Sequence, residues 1–186
     1  MILKVYNIID GDTLNVINCQ SNEVNTVRLL GIDAPETRRT NKLKQDERET
    51  HLPGQFLIKL GKISFQYLLQ LVPPGTKITM KQEQQNTNDV YGRILAYVFL
   101  SNGKTLNEIM IKEGYAKAYN KYRCDELLKY QILNFEAKNG WALEKDIELF
   151  GTWYITSMKV HDKPLDFERG KSMQCFTVNR SLTEYD

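Results

Sequence analysis

The strongest constraint in this 186-residue chain is a pair of alternating apolar runs with one polar turn between them. Thr13-Leu14-Asn15-Val16-Ile17 and Thr26 to Ile32 each repeat with the period of two that turns one face of a strand into a core. With Ser21-Asn22-Glu23 as the turn, they form an antiparallel hairpin. A turn centred between Asn22 and Glu23 sets Asp12 opposite Asp33. Neighbouring carboxylates repel unless a cation lies between them. A hard metal ion with oxygen ligands suits that position, helped by the backbone carbonyl of Ala34, which Pro35 keeps extended. Taken singly, Asp10-Gly11 is a type I′ turn signal and Asp33 to Thr37 a turn running into a helix start. Neither accounts for Asp12 at the head of a strand, where aspartate is depleted. An EF-hand loop fails, because Leu14 and Ser21 stand where it needs an oxygen donor and a glutamate.

The remaining elements follow from periodicity. Ile2 to Ile9 alternates as a first strand, Lys77 to Glu83 as a fourth and Tyr91 to Leu100 as a fifth. Arg38 to Glu49 is dense in mixed charge and reads as an exposed loop. From Gln55, the stripe Phe56, Leu60, Ile63, Tyr67 and Leu71 predicts a helix that Pro73-Pro74-Gly75 ends. Thr105 and Glu108 form a capping box for a helix that Gly114 closes. Ala116 to Tyr122 carries two tyrosines, and Asp125 to Asn139 predicts a third helix with Leu128, Ile132 and Phe135 inward and Gly140 as its stop. Five short strands with three flanking helices, mainly β in content, suit a Greek-key barrel of the OB type. Residues 1–143 are expected to form this domain and residues 144–186 a C-terminal extension.

Composition excludes more than it selects. Lys+Arg 25 against Asp+Glu 23 gives a net charge of only +2, so nucleic-acid binding has to come from local placement of charge. No run approaches a membrane span, so no membrane partner is expected. Cys19, Cys124 and Cys175 are too scattered for zinc and read as unpaired thiols, while His51 and His161 read as surface residues. No signal peptide precedes the first strand. The expected location is cytoplasmic as given, or extracellular if a leader was removed.

Read together, the motifs carry a resemblance. Ile9-Asp10-Gly11-Asp12-Thr13, Arg28 to Thr37, Asp89-Val90-Tyr91-Gly92-Arg93 with Ala96-Tyr97, Gly114-Tyr115-Ala116 with Tyr119 and Tyr122, and Gly140-Trp141 follow in one order. In this the chain resembles the staphylococcal nuclease, or thermonuclease-like, family of calcium-dependent nucleases. The resemblance covers about the first three quarters of the sequence. It implies calcium held by Asp12, Asp33 and the carbonyl of Ala34, with Glu36 activating or positioning the attacking water. It further implies Arg28 and Arg93 on the scissile phosphate, Tyr91 beside a terminal phosphate, and Tyr119 and Tyr122 near the base. The implied reaction is hydrolysis of DNA and RNA with little sequence preference, leaving 3′-phosphates.

The chemistry is coherent on its own terms. A five-coordinate phosphoryl transition state concentrates negative charge, so cations must be aimed at it. Arginine suits that work because its fork holds two phosphate oxygens and stays charged. Arg28 and Asp33, five apart, would point to opposite faces of a regular strand, which requires a bulge at Gly31. Without the resemblance, the three tyrosines read as packing residues and Arg93 as a solvated strand end. The sequence departs from the family in its long charged loop from Arg38 to Gly54 and at Val90. It departs again beyond Leu143, where Phe150, Trp153, Tyr154, Ile155 and Met158 predict packing on the barrel or on another molecule. Single strands are the preferred expected substrate and a monomer the expected state. Two alternatives stand beside the nuclease: an inactive barrel that binds nucleic acid or protein, and a calcium-binding structural module, which has no use for the two arginines.

Overall fold

A computed structural model describes residues 3–85, 87–137, 159–160 and 163–164. Gly140-Trp141 and the apolar residues from Phe150 to Met158 lie outside the described residues, as do His161 and Cys175. The chain divides into two compact units, Met1–Leu143 and Glu144–Asp186. The second contains a short ladder of β8 (Lys159–Val160) and β9 (Lys163–Pro164).

The first unit is a closed five-stranded barrel of the OB type, mainly β with flanking helices. Its strands are β1 (Leu3–Asp10), β2 (Thr13–Asn18), β3 (Val24–Leu29), β5 (Lys77–Lys81) and β6 (Ile94–Leu100), in the order β1-β2-β3-β6-β5. β3 and β6 run parallel and the other pairs antiparallel, with β5 returning to β1 to close the ring. Alternation fills the interior from β2 and β3, where Leu14, Val16, Val27 and Leu29 are fully buried or nearly so, while β6 is buried on both faces from Leu95 to Val98. A separate two-residue strand, β4 (Ile32–Asp33), pairs with β7 (Lys117–Ala118).

Among the described residues, four helices flank the barrel. α1 (Asn41–Thr50) occupies the stretch expected to be a loop. Thr40 caps it, accepting from the Leu43 backbone N–H at 3.0 Å, and Lys42–Asp46 and Gln45–Glu49 pair at i,i+4. One apolar residue is enough to dock it: Leu43 packs with Phe56, Leu57 and Leu60 of α2 (Gly54–Leu71). α3 (Leu106–Lys112) starts on the expected Thr105 cap. α4 (Leu127–Glu136) turns its faces contrary to expectation, for Tyr130 is fully buried while Leu128, Ile132 and Phe135 are 71%, 52% and 83% exposed. The rival stripe Leu127, Tyr130 and Leu133, also at helical spacing, meets the core.

The hairpin register also differs. Thr13 pairs with Arg28 and Ile17 with Val24, so the turn is centred between Gln20 and Ser21. A five-residue connection accounts for the shift: the Asn18 N–H donates to the Glu23 carbonyl, and Asn22 takes a positive φ of 57°. Asp12 therefore lies opposite Leu29, whose N–H donates to its carbonyl at 2.8 Å. Between β1 and β2 the turn residues are Gly11 and Asp12, and neither has positive φ, so it is not type I′. Glycine is required at 11 for space: a Cβ there would lie 2.7 Å from that of Ala34 and collide with Ser64.

Candidate active site

Despite the shifted register, Asp12 and Asp33 meet, and a side chain brings them together. Arg28 projects from β3 with its guanidinium buried, and its Nη2 lies 3.1 Å from Asp12 Oδ2 and 3.2 Å from Asp33 Oδ1. Its Nη1 donates to the carbonyls of Leu29 and Ile32 at 3.1 and 2.9 Å. The cation between the two aspartates is thus, in the first instance, Arg28. Gly31 makes this possible with φ +77°, ending β3 so that β4 starts in a new direction. The break replaces the expected bulge and puts Arg28 and Asp33 on one side.

Asp12 is held on every side. Its Oδ2 accepts from the Ala34 N–H at 2.7 Å and its Oδ1 from Thr13 Oγ1 at 3.0 Å. Asp10 lies alongside, and its carboxyl is pushed up to about 7 by burial and by the charge of Asp12. Asp33 is also raised, by burial first, against the lowering pull of Lys42 and Arg28. Glu36 is partly exposed, with Lys42 Nζ 3.8 Å away.

The other arginine is organised by a turn. Tyr91 and Gly92 precede β6 rather than belonging to it, because Asp89 folds the segment back on itself. Asp89 Oδ1 accepts from the N–H groups of Tyr91 and Arg93, and its Oδ2 accepts from Arg93 Nε at 2.8 Å. Arg93 Nη1 then reaches Thr13 Oγ1 at 3.2 Å, and its guanidinium lies over the Tyr91 ring at 5.6 Å. Tyr91 itself is 78% exposed, poor for packing and suited to contact. Tyr119 is fixed by its N–H on the Gly31 carbonyl, and Lys121 lies over the Tyr122 ring at 5.6 Å.

One cleft of about 620 Å³ is lined by Asp12, Arg28, Asp33, Ala34, Glu36, Tyr91, Arg93, Tyr119 and Tyr122, so the residues singled out in the sequence share a single cavity. A larger recess of about 800 Å³ beside α3 and α4 contains none of them. Sequence reasoning missed Lys42 and Asp46 on α1 and the organising role of Asp89. The available signals were the Thr40 cap with the i,i+4 pair Lys42–Asp46, and the matching spacing of Asp89 and Arg93.

The donors fit a hard divalent cation. Four carboxylates, Asp10, Asp12, Asp33 and Glu36, line the cleft, and carboxylate oxygens are the donors that such an ion takes. Among the described residues no three acidic, histidine or cysteine side chains form a ready-made metal cage. The shell would be open, completed by a carbonyl, water and substrate.

A barrel of this topology with this cleft defines a class, and sequence comparison agrees with it. Residues 26–141 match the family model described as staphylococcal nuclease homologue. The chain belongs to the staphylococcal nuclease family. It is 31% identical over 183 residues to endonuclease YhcR of Bacillus subtilis, covering 96% of this chain and 14% of YhcR. It is 32% identical over 148 residues to endonuclease YncB of the same organism, covering 74% of this chain and 62% of YncB. An uncharacterized endonuclease of Escherichia coli is 32% identical over 135 residues, covering 73% of this chain and 71% of the relative. The chain thus spans between about a seventh and three fifths of the two Bacillus proteins. No helix among the described residues is long and apolar enough to cross a membrane.

Proposed function

We propose that this chain is a calcium-dependent nuclease domain that hydrolyses phosphodiester bonds of DNA and RNA with little sequence preference, leaving 3′-phosphates. The observation that carries the reading is the single cleft in which three arginines, four carboxylates and three tyrosines converge. Family membership and relatives named endonucleases support the nuclease class.

Each side chain has work to do. Asp12, Asp33 and the Ala34 carbonyl would hold the ion, which would supply charge neutralisation for the phosphate and make the attacking water more acidic. Glu36, more accessible than Asp12 or Asp33 with its side chain 26% exposed, accepts the proton of the attacking water. Arg93 meets the phosphate oxygens as their charge grows, held in aim by Asp89. Arg28 adds a fixed positive field from beneath the aspartates. Tyr91 flanks a terminal phosphate, while Tyr119 and Tyr122 offer rings to unpaired bases, so single strands are cut faster than duplex. The cleft is built from one chain, in keeping with a monomer.

Purified protein incubated with single-stranded DNA, duplex DNA and RNA should cleave in calcium and stop in chelator. Glu36→Gln and Arg93→Ala should each slow cleavage by at least ~100-fold with unchanged circular dichroism. Binding without cleavage in any metal would favour the inactive barrel, and full activity in chelator would remove the metal from the mechanism.

A further inference from the structure

The cleft contains a cation that the reaction scheme does not use. Lys42 Nζ, on the first turn of α1, lies 3.1 Å from Asp33 Oδ2, 2.8 Å from Asp46 Oδ2 and 3.8 Å from Glu36 Oε1. Arg28 already takes Asp33 Oδ1. The other oxygen of Asp33, Oδ2, is covered: the Lys42 ammonium stands against it, and Lys117 Nζ lies further off at 4.0 Å.

We propose that Lys42 is a built-in competitor for the cation position: a divalent ion can use Asp33 Oδ2 only after the ammonium has left it, and this exchange sets the affinity of the site for calcium. The proposal rests on the metal-dependent reading above. Three features make the exchange physically reasonable. The ammonium is divided among three carboxylates, Asp33, Asp46 and Glu36, so even with Arg28 and Lys117 also on Asp33 a doubly charged ion is the stronger partner for that oxygen. Asp46, buried and one helical turn away, keeps Lys42 paired after it leaves Asp33, which lowers the cost of release. Lys42 is 30% exposed and reachable from solvent, while its helix is fastened by the Thr40 cap and by Leu43, so it returns to one place.

The test is calcium titration by calorimetry of the full chain at fixed ionic strength. Lys42→Gln and Lys42→Met should bind calcium at least ~10-fold more tightly than the unmodified protein, because a like charge beside the ion is gone. Lys44→Gln removes the same charge from an exposed position two residues on and should change the affinity by less than ~2-fold. A second measurement uses the unmodified protein: the Lys42 ammonium resonance, assigned by its absence from the Lys42→Gln spectrum, should be protected without metal and shift or vanish as calcium saturates. Equal affinities for the Lys42 and Lys44 variants, or an unmoved ammonium signal at saturation, overturn the competitor while leaving the metal reading intact. Absence of calcium binding in every variant overturns both.

Discussion

Arg28 and Arg93 line the same cleft, yet their surroundings predict opposite consequences of losing them. Arg28→Ala removes four contacts at once, to Asp12, Asp33 and the carbonyls of Leu29 and Ile32. What remains is two buried carboxylates with their shared counter-charge gone and two carbonyls short of a donor. Breaking a buried ion pair from one side costs roughly 3–5 kcal/mol. That is a large part of the ~5–15 kcal/mol that holds a domain folded, and it corresponds to a fall in Tm of roughly 6–20 °C at this size. Arg93 is partly exposed and pairs with one buried carboxylate, Asp89, which keeps the N–H groups of Tyr91 and residue 93, so Arg93→Ala should cost less, about 1–3 kcal/mol. Urea unfolding followed by circular dichroism in chelator measures both. Calcium should then recover more stability in Arg28→Ala than in the unmodified protein, since a bound ion supplies the missing charge. If Arg28→Ala lies within ~1 kcal/mol of the unmodified protein in chelator, Arg28 is not the tie between the aspartates.

Gly31→Ala should lower stability by at least ~1–3 kcal/mol, because the position has φ +77° and a Cβ would fall 2.5 Å from Cys124 Sγ and 2.9 Å from the Tyr130 ring. A thermal melt indistinguishable from that of the unmodified protein would contradict that crowding. Asp10, raised from 3.8 to about 7 by burial and by Asp12, is favoured in its neutral form by the fold. Its contribution to stability is therefore complete below pH 3.8 and lost as pH rises through about 7. Melts in chelator across that range should fall less steeply for Asp10→Asn than for the unmodified protein, and parallel profiles would refute the assignment.

Much of the fold was legible because the barrel strands are short, apolar and bounded by turn residues. Five strands, the Thr105 cap and the break at Gly31 all follow from neighbours within a few residues. The site residues were legible for a different reason: Asp12, Arg28, Asp33, Glu36 and Arg93 are costly where they stand, and their order matches a family whose chemistry needs them. Local pattern was silent where competing solutions differ only in packing. The turn at Gln20 and Ser21 shifted the hairpin by a loop geometry that composition does not encode. Leu127, Tyr130 and Leu133 displaced Leu128, Ile132 and Phe135 as the inner face of α4, since both stripes have helical spacing and only the partner surface chooses between them. α1 was hidden because one leucine and a threonine cap suffice for a helix once α2 is there to receive it. That helix delivers Lys42 to Asp33, nine residues back in sequence and one contact away in space. Sequence determined which charges the chain carries and where its strands run; the tertiary structure decided which charges face each other, because burial and distance set the strength of an electrostatic contact and neither is a property of sequence order.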